Sequence, residues 1–414
     1  MSELNDLITQ LCPDGVPYKK LNEVLNYEQP SKYLVSSKNY SDEYSTPVLT
    51  AGKTFILGYT DEINGIYQAS KDNPVIIFDD FTTDFKWVDF PFKAKSSGMK
   101  MLTPIDSNMC CFRYVYYAMS VINFVPSEHK RHWISQYSNF AIPLPPLPVQ
   151  EEIVRILDSF TELEAELEAE LDDRKKQYEY YRDHLLDKKN LEHMDGKPVE
   201  MRKLNEVFDS FNGMGGVSNK WADDGNCQFI DYKNVYDNTK VDVSNTPYAT
   251  VKKISNQRVI KQGDILCTCA SEVPNECALS AVVEDDIRDN IFLDDHLFGL
   301  RVKEEYADLI DTTFINYYFT IFNHRKNVFK AVRGVTRYYI DTKAFMKIPI
   351  PVPSLATQKR VVDILDRFDA LTTSLTDGIP AEIAMRREQY EYYRSRLLDF
   401  PRLPDGSVSD GDGE

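Results

Sequence analysis

The sequence predicts an α+β fold built as a pseudo-two-fold tandem repeat, with two mixed α/β bodies separated by two long coiled-coil helices. Three observations predict it. The string Gln177-Tyr-Glu-Tyr-Tyr-Arg182 returns unchanged as Gln389-Tyr-Glu-Tyr-Tyr-Arg394, followed each time by a leucine pair, Leu185-Leu186 and Leu397-Leu398. Each string closes a charged helical stretch entered through alternating prolines, Ile142-Pro-Leu-Pro-Pro146 and Ile348-Pro-Ile-Pro-Val-Pro353. Both bodies open alike, on Lys20-Leu-Asn-Glu-Val24 and Lys203-Leu-Asn-Glu-Val207. Identical strings in matching context mark a duplicated unit.

The bodies are β-rich. Val75-Ile-Ile-Phe78 and Lys86-Trp-Val88 in the first, and Phe229-Ile230, Asp264-Ile-Leu266 and Leu297-Phe-Gly-Leu-Arg-Val302 in the second, are short, branched or aromatic runs bounded by turn formers. Helices are expected near Cys111 to Phe124 and Thr312 to Val332. The first body has no counterpart of Gln262-Gly-Asp-Ile-Leu266 and carries Asn73-Pro-Val-Ile-Ile-Phe-Asp79 instead. Arg131-His-Trp-Ile134 and Arg337-Tyr-Tyr-Ile340, 206 residues apart, suggest a strand leading into each elbow. The elbows themselves should be stiff and extended, because proline at alternate positions fixes φ.

From Gln150 to Leu186, Ile153, Ile156, Phe160, Leu163, Leu167, Leu171, Tyr178, Tyr181 and Leu185 recur mostly three or four residues apart among charges. That is a coiled-coil seam, about 50 Å long at 1.5 Å per residue. The second copy keeps Val361, Ile364, Leu365, Phe368, Leu371 and Leu375 before Gly378-Ile-Pro380 interrupts it, and resumes at Glu382. The copies align at an offset of 208 before this break and 212 after it. Four residues are about one turn, so the seam keeps its face and the two helices can pair. The tyrosines 178, 180, 181 and 390, 392, 393 are expected to pack there, at least two of each trio in or beside the seam, rather than stack on bases. The expected segments are a first domain over 1–148, a helix over 149–189, a second domain over 190–353, a helix over 354–400 and an acidic, disordered tail over 401–414.

The formal charge of −17 sits mainly on the first helix and the tail. Gln150 to Lys189 carries 7 basic against 13 acidic residues, and the tail from Asp399 one arginine against five acids. The bodies are near neutral, with 13 basic and 14 acidic residues over 13–140 and 18 and 21 over 201–345. No apolar run reaches the roughly 18 residues of a membrane span. With no leader at the start, a cytoplasmic protein is expected, and seven cysteines fit reduced thiols.

Catalytic motifs are missing. There is no phosphate-binding Gly-x-x-x-x-Gly-Lys loop, Gly213-Met-Gly-Gly216 lacks the third glycine of a dinucleotide fingerprint, and no Asn-Pro-Pro-Tyr segment is present. Cys267, Cys269 and Cys277 lack paired zinc knuckles, and Glu128-His-Lys-Arg-His132 has its glutamate ahead of both histidines. Asp79-Asp80, Asp285-Asp286 and Asp294-Asp295 read as turn or solvated pairs, the sharper alternative being a cation site for phosphodiester cleavage. A binding protein is expected, without metal, cofactor or catalytic residue of its own.

Cys12-Pro-Asp-Gly-Val16, the Lys-Leu-Asn-Glu-Val openings, Ile142-Pro-Leu-Pro-Pro146, Gln150-Glu-Glu-Ile153 with Ile156-Leu-Asp158, the Gln-Tyr-Glu-Tyr-Tyr-Arg strings and Ile379-Pro-Ala-Glu-Ile383 together resemble the specificity subunits of type I restriction-modification enzymes. The resemblance covers the whole chain. It implies two target recognition domains, each reading half of a split, asymmetric double-stranded DNA sequence, and two helices packed antiparallel. It also implies partners: two modification subunits that bring S-adenosylmethionine, and two restriction subunits that use ATP and magnesium. A two-headed coiled-coil adaptor for proteins is the competing reading, and a standalone enzyme the third.

Base readout needs paired donors, and phosphate contact needs cations. In the second body Arg325, Lys326, Lys330, Arg333 and Arg337 flank Gly334-Val-Thr336, so these five and Thr336 are the candidates for DNA contact. In the first they are Lys93, Lys95 and Lys100 around Ser96-Ser-Gly98, and Lys130 and Arg131 beside His132, with Lys53 and Lys86-Trp87 weaker.

Overall fold

The computed structural model describes residues 2–52, 54–126, 130–222, 224–244, 246–287, 291–373 and 378–404. Leu375 of the expected seam and the expected tail beyond 404 lie outside the described residues. The chain forms two units, Met1–Glu168 with Ile383–Glu414, and Ala169–Glu382. Among the described residues no helix is long and apolar enough to cross a membrane.

The first unit is built on an antiparallel sheet of β1 (Leu25–Glu28), β2 (Val75–Asp79), β3 (Phe85–Val88) and β4 (Met99–Pro104), in the order β1-β4-β2-β3. The second is built on β5 (Phe208–Asn212), β6 (Ile265–Thr268), β7 (Ser280–Val282) and β8 (Leu297–Val302), in the order β5-β8-β6-β7. The two orders are the same. β2 and β6 therefore hold equivalent places, although their sequences share no motif. Both are buried on two faces, which explains their continuous apolar runs. Ile76 and Phe78 join one core and Val75 and Ile77 another. Likewise Ile265 and Cys267 separate from Leu266, as a two-residue side-chain period requires.

The proline elbows are not free rods. Ala141–Pro143 pairs antiparallel with Tyr18–Lys20, and Pro349–Val352 with Glu200–Lys203. Each two-stranded ladder tolerates prolines because alternate residues need no donor on its open side. It ties the exit of a body to its opening. The repeated Leu-Asn-Glu-Val segments follow as short helices, Leu21–Val24 and Leu204–Val207. Of the expected elbow strands, Tyr338–Ile340 forms and Arg131 to Ile134 does not; there the chain turns and buries Trp133.

Behind each elbow a buried glutamine repeats one device. Gln150 Oε1 accepts from the Cys111 amide at 2.9 Å, and its Nε2 donates to Pro145 O at 2.6 Å. Gln358 Oε1 accepts from the Asp311 amide at 2.8 Å, while its Nε2 donates to Pro353 O and Leu309 O, both at 2.8 Å. Cys111 and Asp311 are the N-caps of the body helices Phe112–Ser120 and Thr312–Thr320. A side-chain amide thus joins helix start to elbow; losing it would strand buried backbone groups at about 1–3 kcal/mol each. Tyr117 donates to Asp158, and Tyr317 to Asp366 at 2.6 Å, one further repeat of the frame.

The first long helix is continuous over Leu147–Leu185. The second copy is two pieces, Leu355–Thr373 and Ile379–Leu397, with Pro380 in a first turn where its missing N–H is harmless. Within the first unit Phe160 stacks on Tyr393, with centroids 5.5 Å apart, and Arg387 reaches Glu164 and Glu168 at 2.5 Å each. Rising numbers meet falling ones, so these segments are antiparallel. Within the second unit Tyr181 stacks on Phe368 at 5.7 Å, and Tyr178 lies 6.5 Å from the same ring. Two tyrosines of each trio do pack. The central ones, Tyr180 and Tyr392, are 66% and 56% exposed.

The expected helix from Thr312 to Val332 is two, Thr312–Thr320 and Phe322–Lys330, broken at extended Ile321. The break buries His324, whose ring stacks on Phe319 at 4.8 Å and meets Tyr318 and Phe345 edge-on. Burial there, with Arg325 beside it, pushes the imidazole down to about 3. An unfolded histidine titrates near 6.5, so below that pH the unfolded chain takes a proton that the folded unit refuses. Stability is then full above about pH 6.5 and declines as pH falls, by about 2 kcal/mol between pH 7 and pH 5. Urea unfolding of His324→Phe should lose that share of the pH dependence. A variant with the wild-type slope would show that this imidazole is not its source.

Candidate nucleic-acid interface

In the second unit the candidate residues surround a hairpin. Val332–Gly334 pairs with Tyr338–Ile340, and the latter also pairs with Ala270–Ser271. Gly334 takes φ +126°, and a Cβ there would fall 2.1 Å from Arg337 O, so the turn demands glycine. The tip carries Val335, 87% exposed, with Thr336 and Arg337 also exposed. Arg333 is exposed too, but its Nη1 donates to Lys330 O at 2.7 Å and Val332 O at 2.9 Å, holding the guanidinium over the end of the preceding helix. Lys326 lies 4.2 Å from the Phe322 ring centroid, and Lys330 donates to Asn327 Oδ1 at 3.1 Å. Both ammonium groups remain at the surface.

Arg325 departs from expectation. Its guanidinium is turned inward onto the carbonyls of Asn275, Cys277 and Ala278. Burial lowers its pKa against the pull of nearby thiols. It clamps a turn of the chain and offers no free fork to a base.

Arg337 also lines a cavity of about 480 Å³ with Tyr232, Tyr236, Ser271, Glu276 and His296. Tyr232 and Tyr236 are stacked at 5.7 Å, and Tyr232 is held by donation to Ala270 O at 2.9 Å. Sequence reasoning missed these two. Their four-residue spacing behind Asp231, which caps the helix Tyr232–Asp237, was the available signal.

Beside this cavity Asp294, Asp295 and His296 form the one group among the described residues with three metal-type ligands close together. The Lys220 ammonium occupies their centre, 3.1 Å from Asp294 Oδ2 and bonded to Asp295. Against the opposing effect of burial, that bond lowers the Asp295 pKa. The positive charge these carboxylates call for comes from the chain itself.

In the first unit the lysines expected at a DNA-facing surface are mostly interior. Lys100 is fully buried, paired to Asp80 Oδ2 at 2.9 Å. Asp80, read from sequence as a turn or solvated acid, also accepts from the Trp133 amide at 2.8 Å and lies 4.0 Å from Arg131. Lys93 is buried against Glu62 at 2.6 Å and donates to Asn64 O at 2.7 Å. The hydrogen bond from Lys93 lowers the Glu62 pKa. Such ion pairs, once desolvated, are not free to meet phosphate. Lys95 is half-buried, donating to Tyr40 Oη at 2.8 Å. Lys130 and Arg131 stay exposed, adjoining residues 127–129, which with Lys53 lie outside the described residues.

The family described as "Type I restriction modification DNA specificity domain" matches residues 13–173 and 196–385. The chain is 43% identical, over 97% of its length and 98% of the relative's, to the type I restriction enzyme EcoR124I/EcoR124II specificity subunit of Escherichia coli. It is 31% identical to a putative type I restriction enzyme specificity subunit of Haemophilus influenzae, covering 70% of this chain and 72% of that one. In fold it is similar to the S subunit of the type I restriction-modification system of M. genitalium, with TM-score 0.53 at 14% identity over 93% of this chain and 96% of that one. A chain from a structure of type I system assembly and conformational transition gives TM-score 0.55 at 16% identity, over 94% and 98%.

Proposed function

The chain belongs to the type I restriction-modification DNA specificity family, and from that premise we propose that it reads DNA for its complex while catalysing nothing itself. Each unit binds one half of a bipartite, asymmetric double-stranded target. The observation that carries this is the pair of identical frames with different fillings: the same sheet order, elbow ladder and buried glutamine hold unrelated surfaces. A duplicated scaffold with divergent faces suits two readings of two sequences. Nothing in the family relationship supports the protein-adaptor alternative.

The partners are two modification subunits, which supply S-adenosylmethionine and methylate the target, and two restriction subunits, which supply ATP- and magnesium-dependent cleavage. The repeated string supports the number two, because it presents the same exposed tyrosine twice, Tyr180 and Tyr392. The complex works where its DNA is, in the cytoplasm. Methylation-aware sequencing of cells carrying the chain with its methyltransferase should return one two-part motif. Exchanging residues 201–345 for those of a relative should change one half of that motif alone. Turnover by the purified chain, or a motif indifferent to the exchange, would overturn this reading.

A further inference from the structure

We propose that a second basic site in the Ala169–Glu382 unit, apart from the hairpin, grips the phosphodiester backbone of DNA. It is a cleft of about 630 Å³ between the glycine loop Gly213 to Gly216 and the segment Lys252 to Arg258. The proposal rests on the DNA-reading function and names a further place where that DNA is held. The glycine loop is not a dinucleotide fingerprint, because it lacks the third glycine.

The cleft is basic. Lys252, Lys253 and Arg258 are all exposed and line the cleft. Among the described residues none of the three has a carboxylate within ion-pair distance, whereas Lys220, Lys240 and Arg301 of the same unit each do. Arg258 is steadied by the Phe211 ring, 5.7 Å from its centroid. An aromatic face positions a guanidinium without neutralising it. Three cations on one cleft with no carboxylate partner among the described residues, in a chain of formal charge −17, suit an anion from outside.

The glycine loop across the cleft is bare and braced. Gly216 takes φ +67°, which favours glycine for conformational reasons. Gly215 has neither a left-handed φ nor any atom within 4 Å of the place a Cβ would take, so conformation and packing leave its identity unexplained. What its bareness does is leave the cleft open at this point, so that a bulky anion can approach the cations on the facing segment. The loop is also held in place: Gln257 Oε1 accepts from the Gly215 amide at 3.0 Å, and Gln257 Nε2 donates to Gly215 O at 2.9 Å and Lys253 O at 3.1 Å. One side chain thus links the glycine loop to the basic segment, and a cradle built before binding loses little entropy when DNA arrives. Duplex phosphates are the anions that a protein reading DNA would bring to these three cations, and such contact is indifferent to base sequence.

The test uses the assembled complex. A chain carrying Lys252→Gln, Lys253→Gln and Arg258→Gln should bind target and unrelated duplexes about thirtyfold more weakly near 0.15 M salt, with a log–log salt slope reduced by up to about 3. Its methylated motif should stay the same. Gly215→Asp, at a position with room for the side chain, should weaken both duplexes in the same way while leaving the thermal midpoint at the wild-type value. If the triple variant keeps wild-type affinity and slope while Arg333→Glu with Arg337→Glu loses binding, the cleft is outside the interface and the DNA-reading function stands. If neither variant loses affinity, both readings fall for this unit. A changed motif would make the cleft a base reader, overturning the phosphate assignment. So would inorganic phosphate raising the thermal midpoint of the wild type, and not of the triple variant, with DNA affinity untouched.

Discussion

Changing both hairpin arginines to glutamate, Arg333→Glu with Arg337→Glu, is expected to weaken binding of the assembled complex to its target by two to three orders of magnitude near 0.15 M salt. Each substitution removes a cation and installs a like charge against phosphate, and each lost phosphate contact lowers the salt slope by about 0.9. Arg337 stands at the exposed tip, so its replacement leaves the core untouched. Arg333 also caps the helix before it, and its loss costs the unit about 1 kcal/mol besides. Arg337→Glu alone is therefore the cleaner member of the pair, and glutamine at both positions separates lost attraction from added repulsion. Fluorescence anisotropy across a salt series measures both quantities. Unchanged affinity and slope would take the hairpin out of the interface.

The second large effect concerns the spacing of the half-sites. The helix Leu147–Leu185 is unbroken and contributes residues to both units. Four residues inserted between Leu167 and Arg174 lengthen it by about 6 Å, slightly more than one turn. Leu163, Leu167 and Leu171, all half-buried, already recur every four residues, so the insertion repeats a spacing the seam accepts. The undefined stretch between the half-sites should grow by one or two base pairs, at about 3.4 Å each, with the half-site sequences unchanged. Sequencing of the methylated motif decides it. An unaltered spacer from an active complex would show that partner subunits, and not this helix, measure the distance.

The repeat was legible because its carriers are local and literal: the Gln-Tyr-Glu-Tyr-Tyr-Arg strings, the prolines and the Leu-Asn-Glu-Val openings are consecutive residues. The equivalence of β2 and β6 was not, because a strand buried on two faces needs only apolar bulk, which Val75-Ile-Ile-Phe78 and Ile265-Leu-Cys-Thr268 supply differently. The candidate site was read least well where charge meets burial. Lys93 and Lys100 look like surface lysines until Glu62 and Asp80, 31 and 20 residues away in sequence, are seen opposite them. Arg325 fails for a related reason, since its partners are carbonyls, which no side-chain pattern reveals. The hairpin was legible because a glycine, two tyrosines and two arginines cluster within a few residues.

The first unit is closed by residues far along the chain. Leu397, Leu398 and Phe400 lie in the same core as Leu21, Tyr114 and Ile153, and Val16 exchanges backbone hydrogen bonds with Pro401 and Leu403 at 2.9 and 3.0 Å. The second unit, Ala169–Glu382, is contiguous. During translation at about 10 residues per second, the first unit must wait roughly 20 s after Glu168 is made before Ile383 and its neighbours can complete it. Synthesis order and folding order are therefore inverted: the half made first finishes second, and its open core depends in the interval on whatever shields nascent apolar surface in the cell.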